Sequence, residues 1–199
     1  MKNALLQLKL AVDALYKMSP EAWEDFASIW YLVGVRNKEM ISKPDSIENY
    51  YYFNLHGLQR LVHIDEAGKE TTIELTYEGC FGGNLTSFLL RIPARNSFQA
   101  LTNSKLLRCS YADLNRLMEK HAGIELFIRN RLTKTIETYI EHLIIVKSFS
   151  SVAKYNSIIQ NQKLYKQKVP QKYMANHFGL DASNYSKIKM ARYPRVKLQ

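Results

Sequence analysis

Cysteine is nearly missing from this chain: Cys80 and Cys109 are the only two thiols in 199 residues. Two thiols by themselves supply neither the ligands of a structural zinc nor those of an iron–sulfur cluster. They read as reduced, buried or half-buried side chains, with a bridge between the two as the alternative. Long apolar runs are lacking as well. No stretch approaches the ~20 apolar residues of a membrane-spanning helix. The N-terminal MKNALLQLKLAVDAL is broken by Gln7, Lys9 and Asp13, which suits an amphipathic helix rather than a signal peptide. A cytoplasmic protein with no membrane partner is expected, and Asn84-Leu85-Thr86 is then a chance match to a glycosylation acceptor. The histidines, His56, His63, His121, His142 and His177, are scattered, none at a metal-ligand spacing with a cysteine or carboxylate. Neither a metal nor a catalytic centre is expected.

The third scarcity is local. Up to Val146 the chain carries 17 basic and 17 acidic residues, whereas from Lys147 onward there are 11 basic residues and a single acid, Asp181. The whole net charge of +10 therefore sits in the last quarter. Such asymmetry points to a polyanionic partner, nucleic acid before an anionic membrane, with a solvated basic surface as the plainer reading.

What is there is the composition of a folded protein, 46% hydrophobic. To about Trp30 the pattern is helical: Ser19 can cap, Pro20 suits the first helical position, and Ala22, Trp23, Phe26, Ile29 and Trp30 form an apolar stripe. From Tyr31 to Ser110 the texture is β. Residues 49–54 are rich in aromatic strand formers. Residues 58–64 and 71–75 flank Asp65-Glu66-Ala67-Gly68-Lys69, a reversal typical of a hairpin, and residues 97–101 and 106–110 follow around Thr102-Asn103-Ser104. Many short, evenly spaced strands predict a barrel or jelly roll. Helix returns at Ser110, with a long helix after Gly123. On it Ile128, Leu132, Ile136, Ile140 and Leu143 recur every three or four residues, with Tyr139 and Ile144 beside them. That narrow seam suits pairing with a second copy; packing on the chain's own barrel is the alternative.

The stretch VPQKYMANHFGLDASNYSKIK carries the sharpest spacing. With Gln171 as position one, Met174 and Ala175 fall at four and five, Phe178 and Gly179 at eight and nine. Leu180, Tyr185 and Ile188 then take ten, fifteen and eighteen. This is a helix-turn-helix pattern: a small residue where the helices cross, a glycine for the left-handed turn, and apolar positions that set the angle. It leaves Ser183, Asn184, Ser186, Lys187 and Lys189 for a major groove, with Gln171, Lys172 and Arg192 near the phosphates. A second constellation is Phe81-Gly82-Gly83-Asn84-Leu85 followed by Pro93-Ala94-Arg95-Asn96-Ser97, in which freed amides and an arginine can hold an anion.

A β-rich front, a long helix and a terminal helix-turn-helix together resemble the Crp/Fnr family of bacterial transcription regulators over nearly the whole chain. The likeness is most specific at residues 169–175, at Gly179-Leu180 and at the Gly-rich loop with Arg95. It extends to Leu58-Gln59-Arg60-Leu61-Val62, to residues 65–70 and to Ser97-Phe98-Gln99-Ala100-Leu101. It implies an α+β protein in three parts. These are a cyclic-nucleotide-binding-type jelly roll over residues 1–120, a dimerisation helix over 121–147, and a small winged-helix-like DNA-binding domain over 148–199. Little chain follows Ile188, so a truncated wing is expected. The implied partners are double-stranded DNA, a second copy through Ile128, Leu132, Ile136, Tyr139, Ile140 and Leu143, RNA polymerase, and a small-molecule effector of unidentified chemistry. The effector would be held by Gly82, Gly83, Asn84, Leu85, Arg95, Asn96 and Ser97.

Two departures from the family pattern sharpen the expectation. In cAMP-binding members the cassette reads Gly-Glu-Leu and then Arg-Ser or Arg-Thr. Here Asn84 replaces the ribose-binding carboxylate and Asn96 the hydroxyl residue, while Arg95 matches the phosphate-binding arginine. Cyclic nucleotide is therefore not the expected effector. The best-known members read bases with Arg, Glu and Arg, where this chain has Ala182, Ser183 and Lys187, so phosphate attraction is kept and direct readout is poorer. The expected function is an effector-responsive DNA-binding regulator rather than an enzyme. The alternative is an effector-binding or interaction module whose helix-turn-helix has lost specific DNA binding.

Overall fold

A computed structural model of the chain describes residues 1–162 and 169–192. Two compact units emerge, Met1–Thr135 and Ile136–Gln199.

The first unit opens with α1 (Lys2–Asp13) and α2 (Pro20–Ser28). The start of α2 is set by local chemistry. The Ser19 hydroxyl accepts from the Ala22 amide at 3.2 Å, and Pro20 takes a first-turn position where no amide is needed. Eight strands follow as two four-stranded sheets. In one, β1 (Tyr31–Val35), β8 (Ser104–Ser110), β3 (Tyr50–His56) and β6 (Phe81–Gly82) lie in the order β1-β8-β3-β6. In the other, β2 (Met40–Ser42), β7 (Ser97–Ala100), β4 (Gln59–Ile64) and β5 (Glu70–Thr76) lie in the order β2-β7-β4-β5. All pairings are antiparallel. The β4–β5 hairpin turns where expected, its reversal held by Asp65 Oδ1, which accepts from the amides of Ala67 and Lys69 at 3.0 and 2.9 Å. β7 and β8 are consecutive but do not pair: β7 joins β2 and β4, β8 joins β1 and β3, so the intervening residues cross between sheets. That crossing makes the unit a jelly roll rather than a meander.

Side chains alternate along β3, and both of its faces are covered. Tyr51 and Phe53 point to the helical side, where Phe26, Trp30, Phe81, Phe88, Leu114, Leu117, Ile124 and Phe127 complete the main core. Phe81 stacks on Tyr51 at 5.3 Å and touches Phe127 at 5.6 Å, and such pairs add about 0.5–1.5 kcal/mol each beyond area burial. Tyr52 points the other way, between the sheets, with Val35, Leu61, Phe98, Ala100 and Leu106. α3 (Leu85–Leu90) bridges the strands, and α4 (Tyr111–Lys120) starts at Ser110, whose hydroxyl accepts from the Asp113 amide at 3.1 Å.

α5 (Ala122–Ser148) runs from the first unit into the second. Its early residues Ile124, Phe127 and Ile128 are buried in the main core, and Leu132 packs against it. The second unit continues with α6 (Ser151–Gln162), α7 (Gln171–His177) and α8 (Ala182–Arg192). α6 is an additional helix ahead of the helix-turn-helix. Its signal is visible in retrospect: Val152, Tyr155, Ile158 and Ile159 at helical spacing after Ser150, whose hydroxyl accepts from the Ala153 amide at 3.3 Å. The expected truncated wing falls on residues 193–199, outside those described, and the described residues of this unit contain no strand.

Candidate functional site

Two places gather the chemistry, one in each unit. In the jelly roll, β6 leads through Gly83 into α3, as the Gly-rich motif predicts. Gly83 has φ +112°, and a Cβ there would stand 3.0 Å from the Tyr52 ring. Only glycine tolerates both the backbone conformation and that approach. The Tyr52 ring also lies 5.6 Å from Phe98. A Cβ on Gly82 would meet Phe98 at 3.2 Å. The loop that the motif assigns to an anion is thus packed closely on Tyr52 at Gly83 and on Thr76 and Phe98 at Gly82.

Asn84 is buried and its Nδ2 donates to Ser42 Oγ at 2.7 Å. Beside this pair sits Glu48, only 4% exposed. Its Oε1 accepts from the Tyr50 amide at 3.1 Å and the Tyr52 hydroxyl at 3.3 Å, while Oε2 is buried without a hydrogen-bond partner. Burial pushes the Glu48 carboxyl up, against hydrogen bonds from Ser42, Tyr50 and Tyr52 that pull it down. Burial, and then the facing carboxylate, push the Tyr52 phenol well above its ordinary value. A carboxylate is therefore present in the cradle after all, delivered from the loop before β3 rather than from the cassette.

Gly82, Gly83, Asn84 and Leu85 stay together at the entry to α3, and Ser97 is buried at the start of β7. Arg95 is exposed and Asn96 half-buried. The anchored arginine of this segment is Arg91, in the left-handed region with φ 55°. Its Nη1 donates to the Glu48 carbonyl at 2.6 Å and its Nη2 to Asn49 Oδ1 at 2.7 Å, and its guanidinium lies 4.4 Å from the centre of the Tyr111 ring. Nothing in the local sequence distinguishes Arg91, whose partners lie 43 and 42 residues away in the chain, and the Glu48 amide likewise donates to Ser87 Oγ, 39 residues on.

Of the seam expected on α5, Ile128 is 7% exposed and belongs to the protomer's own core. Leu132 is partly buried against the same core. Ile136, Tyr139, Ile140, Leu143 and Ile144 remain exposed. The first turns of α5 thus serve the jelly roll, and an exposed apolar face begins only at Ile136.

In the second unit the helix-turn-helix spacing is realised. Met174, Ala175, Phe178, Leu180 and Tyr185 are buried with Tyr155, Ile158 and Val169, and the Tyr155 and Tyr185 rings meet at 5.2 Å. Gly179 makes the turn with φ +66°. Asp181 caps α8, its Oδ1 accepting from the Asn184 amide and the Ser183 hydroxyl, each at 2.7 Å. Those hydrogen bonds hold the Asp181 carboxyl below its ordinary value. Ser183, Asn184, Ser186 and Lys187 are exposed on α8 and Lys172 on α7. Lys189 instead reaches back to α7, its Nζ 3.3 Å from Gln171 Oε1. The Arg192 side chain lies outside those described.

The second unit also holds a pair of stacked histidines that no local motif announces. His142, on α5, stacks on His177, at the end of α7, with centroids 4.0 Å apart and planes 12° from parallel. His142 Nε2 donates to the His177 carbonyl at 2.9 Å, which fixes that nitrogen as protonated. Burial lowers the His142 pKa. Cys80 and Cys109 are free, and burial raises both thiols. Among the described residues no group of three His, Cys, Asp or Glu is placed to hold a metal ion, and no helix is long and apolar enough to cross a membrane.

Residues 32–121 match the cyclic nucleotide-binding domain family. No curated protein matches the sequence. Among solved structures, the chain is similar to FixK2 from Bradyrhizobium japonicum, with a TM-score of 0.73 at 11% identity over 82% of this chain and 85% of that one. It is similar to CLP, the c-di-GMP-responsive global regulator of Xanthomonas campestris, with a TM-score of 0.71 at 12% identity over 87% and 91%. The Thermus thermophilus catabolite activator protein gives 0.51 at 18% identity over 87% and 83%. The fold is that of Crp/Fnr regulators, with a cyclic nucleotide-binding domain at its front.

Proposed function

We propose that the chain is a homodimeric, DNA-binding transcription regulator whose sensor domain does not take cyclic nucleotide. The observation that supports this most is the second unit. A buried apolar set holds α7 and α8 at their turn, and the outer side of α8 presents hydroxyl and amine groups in a region with one acid. Cations there attract phosphates by counterion release, and α8 has the diameter and polar surface that a major groove admits.

The first unit supports the second half of the reading. Asn84 stands in place of the ribose-binding carboxylate and is engaged by Ser42, Tyr52 lies against Gly83, and Arg95 is exposed, which together favour an effector other than a cyclic nucleotide. The face from Ile136 to Ile144 suits a second copy, which would set two recognition helices on two half-sites.

The rival reading, an interaction module, draws on Ala182 and Ser183, which cannot make the bidentate base contacts of arginine or glutamate. Titrating selected and random duplexes at two salt concentrations separates the two. The regulator reading expects a selected duplex to outcompete random DNA at about 0.15 M salt, with affinity falling about 0.9 log units per log unit of salt for each phosphate contacted. Lys187→Ala then relaxes the sequence preference, while Lys172→Ala weakens all duplexes about equally. Binding that is sequence-indifferent and vanishes near that salt concentration removes the regulator reading.

A further inference from the structure

We propose that Met190 is a specificity-determining residue that reads thymine methyl groups beside a base contacted by Lys187. This rests on the DNA-binding reading above. Tyr185 is 3% exposed and marks the inward side of α8. A helix turns about 100° per residue, so Ser183 and Lys187, two residues either side of Tyr185, both stand about 160° away from it. Met190, five residues on, stands about 140° away by the same count. The three share one outer stripe. Lys189 lies only about 40° from Tyr185, consistent with its bond to Gln171 on α7.

Met190 is the odd member of this stripe, because it can neither neutralise a phosphate nor donate to a base. It is nevertheless 60% exposed. Single exposed apolar residues are ordinary on a protein surface; here the occupant of the surface decides the role. The basic balance of this part of the chain selects DNA, and the apolar group that B-DNA displays in its major groove is the C5-methyl of thymine. An unbranched, polarisable thioether adapts well to it. Lys187 and Met190 are separated by about 4.5 Å along the helix axis, against about 3.4 Å per base-pair step. They therefore meet base pairs one or two steps apart: Lys187 suits guanine O6 and N7, and Met190 suits a thymine beside it.

The test uses the full chain. The best duplex from an in vitro selection is resynthesised with each thymine in turn replaced by uracil, which deletes only the methyl group. At about 0.8 kcal/mol per buried carbon group, the sensitive thymine costs about fourfold in affinity per half-site and about 15-fold when both half-sites are changed. Met190→Ala should be indifferent to that replacement while keeping the salt dependence of the parent. Equal uracil effects on parent and Met190→Ala, or no sensitive thymine, overturn the assignment and leave Met190 a plain surface residue. If no duplex is enriched over random DNA, the DNA-binding reading falls and the assignment falls with it.

Discussion

Replacing Ile136 with Asp tests the assembly at a place where the single chain draws little on the side chain. Ile136 is 58% exposed in the single chain, so its fold draws little from that side chain. A fully buried isoleucine contributes about 1.5–3 kcal/mol; scaled by the 58% still exposed, pairing with a second copy gains about 1.3 kcal/mol per chain. Two chains lose about 2.6 kcal/mol, close to two orders of magnitude in the dimer constant. Two carboxylates facing each other across a twofold axis must also be desolvated, which raises the expected loss to about three orders of magnitude. Light scattering at micromolar protein should report the dimer mass for the parent and the monomer mass for Ile136→Asp, with unchanged far-ultraviolet circular dichroism. Ile128→Asp is the control. At 7% exposure within the main core, it should unfold the jelly roll rather than merely separate the copies. A parent that is monomeric, or an Ile136→Asp variant of unchanged mass, refutes the reasoning.

Two further outcomes follow from the jelly roll. Calorimetry with cAMP or cGMP should detect no binding at micromolar ligand, because Asn84 stands where the ribose-binding carboxylate would be and is engaged by Ser42; a micromolar constant would overturn that expectation. Glu48 should make stability depend on pH in a defined direction. Its carboxyl is raised above 4.5, mainly by burial, so the folded state holds the proton more tightly than the unfolded chain. The contribution of Glu48 to stability is then full below about pH 4.5 and is lost as pH rises through the raised folded value. Glu48→Gln keeps an acceptor for the Tyr50 amide and the Tyr52 hydroxyl and removes the charge. Its denaturation midpoint should equal or exceed the parent's at pH 7, the difference closing toward pH 4; a variant clearly weaker than the parent at pH 7 contradicts this.

What was legible in the sequence is what neighbours in the chain decide. Ser19-Pro20 and Ser110 announce helix starts, and Asp65 to Lys69 a hairpin. Met174, Ala175, Phe178, Gly179, Leu180 and Tyr185 announce two helices and their turn, because capping, turn conformation and periodicity act over a few residues. Charge was equally plain, since a region with one acid among eleven bases stays basic however it folds.

The tertiary structure decided everything that depends on residues brought from far apart. The periodic seam on α5 does not reveal where the jelly roll ends, so Ile128 and Ile136 look alike until the main core takes in the first of them. The motif singles out Arg95, yet Arg91 is the arginine held by Glu48 and Asn49. Asn84 marks a lost carboxylate, yet Glu48 arrives beside its partner Ser42 from a loop with no signal of its own. The His142–His177 stack joins side chains 35 residues apart. Local sequence sets which faces are apolar and which turns are possible. Which face is covered, and which polar group is left facing a ring rather than a ligand, depends on packing and desolvation in three dimensions.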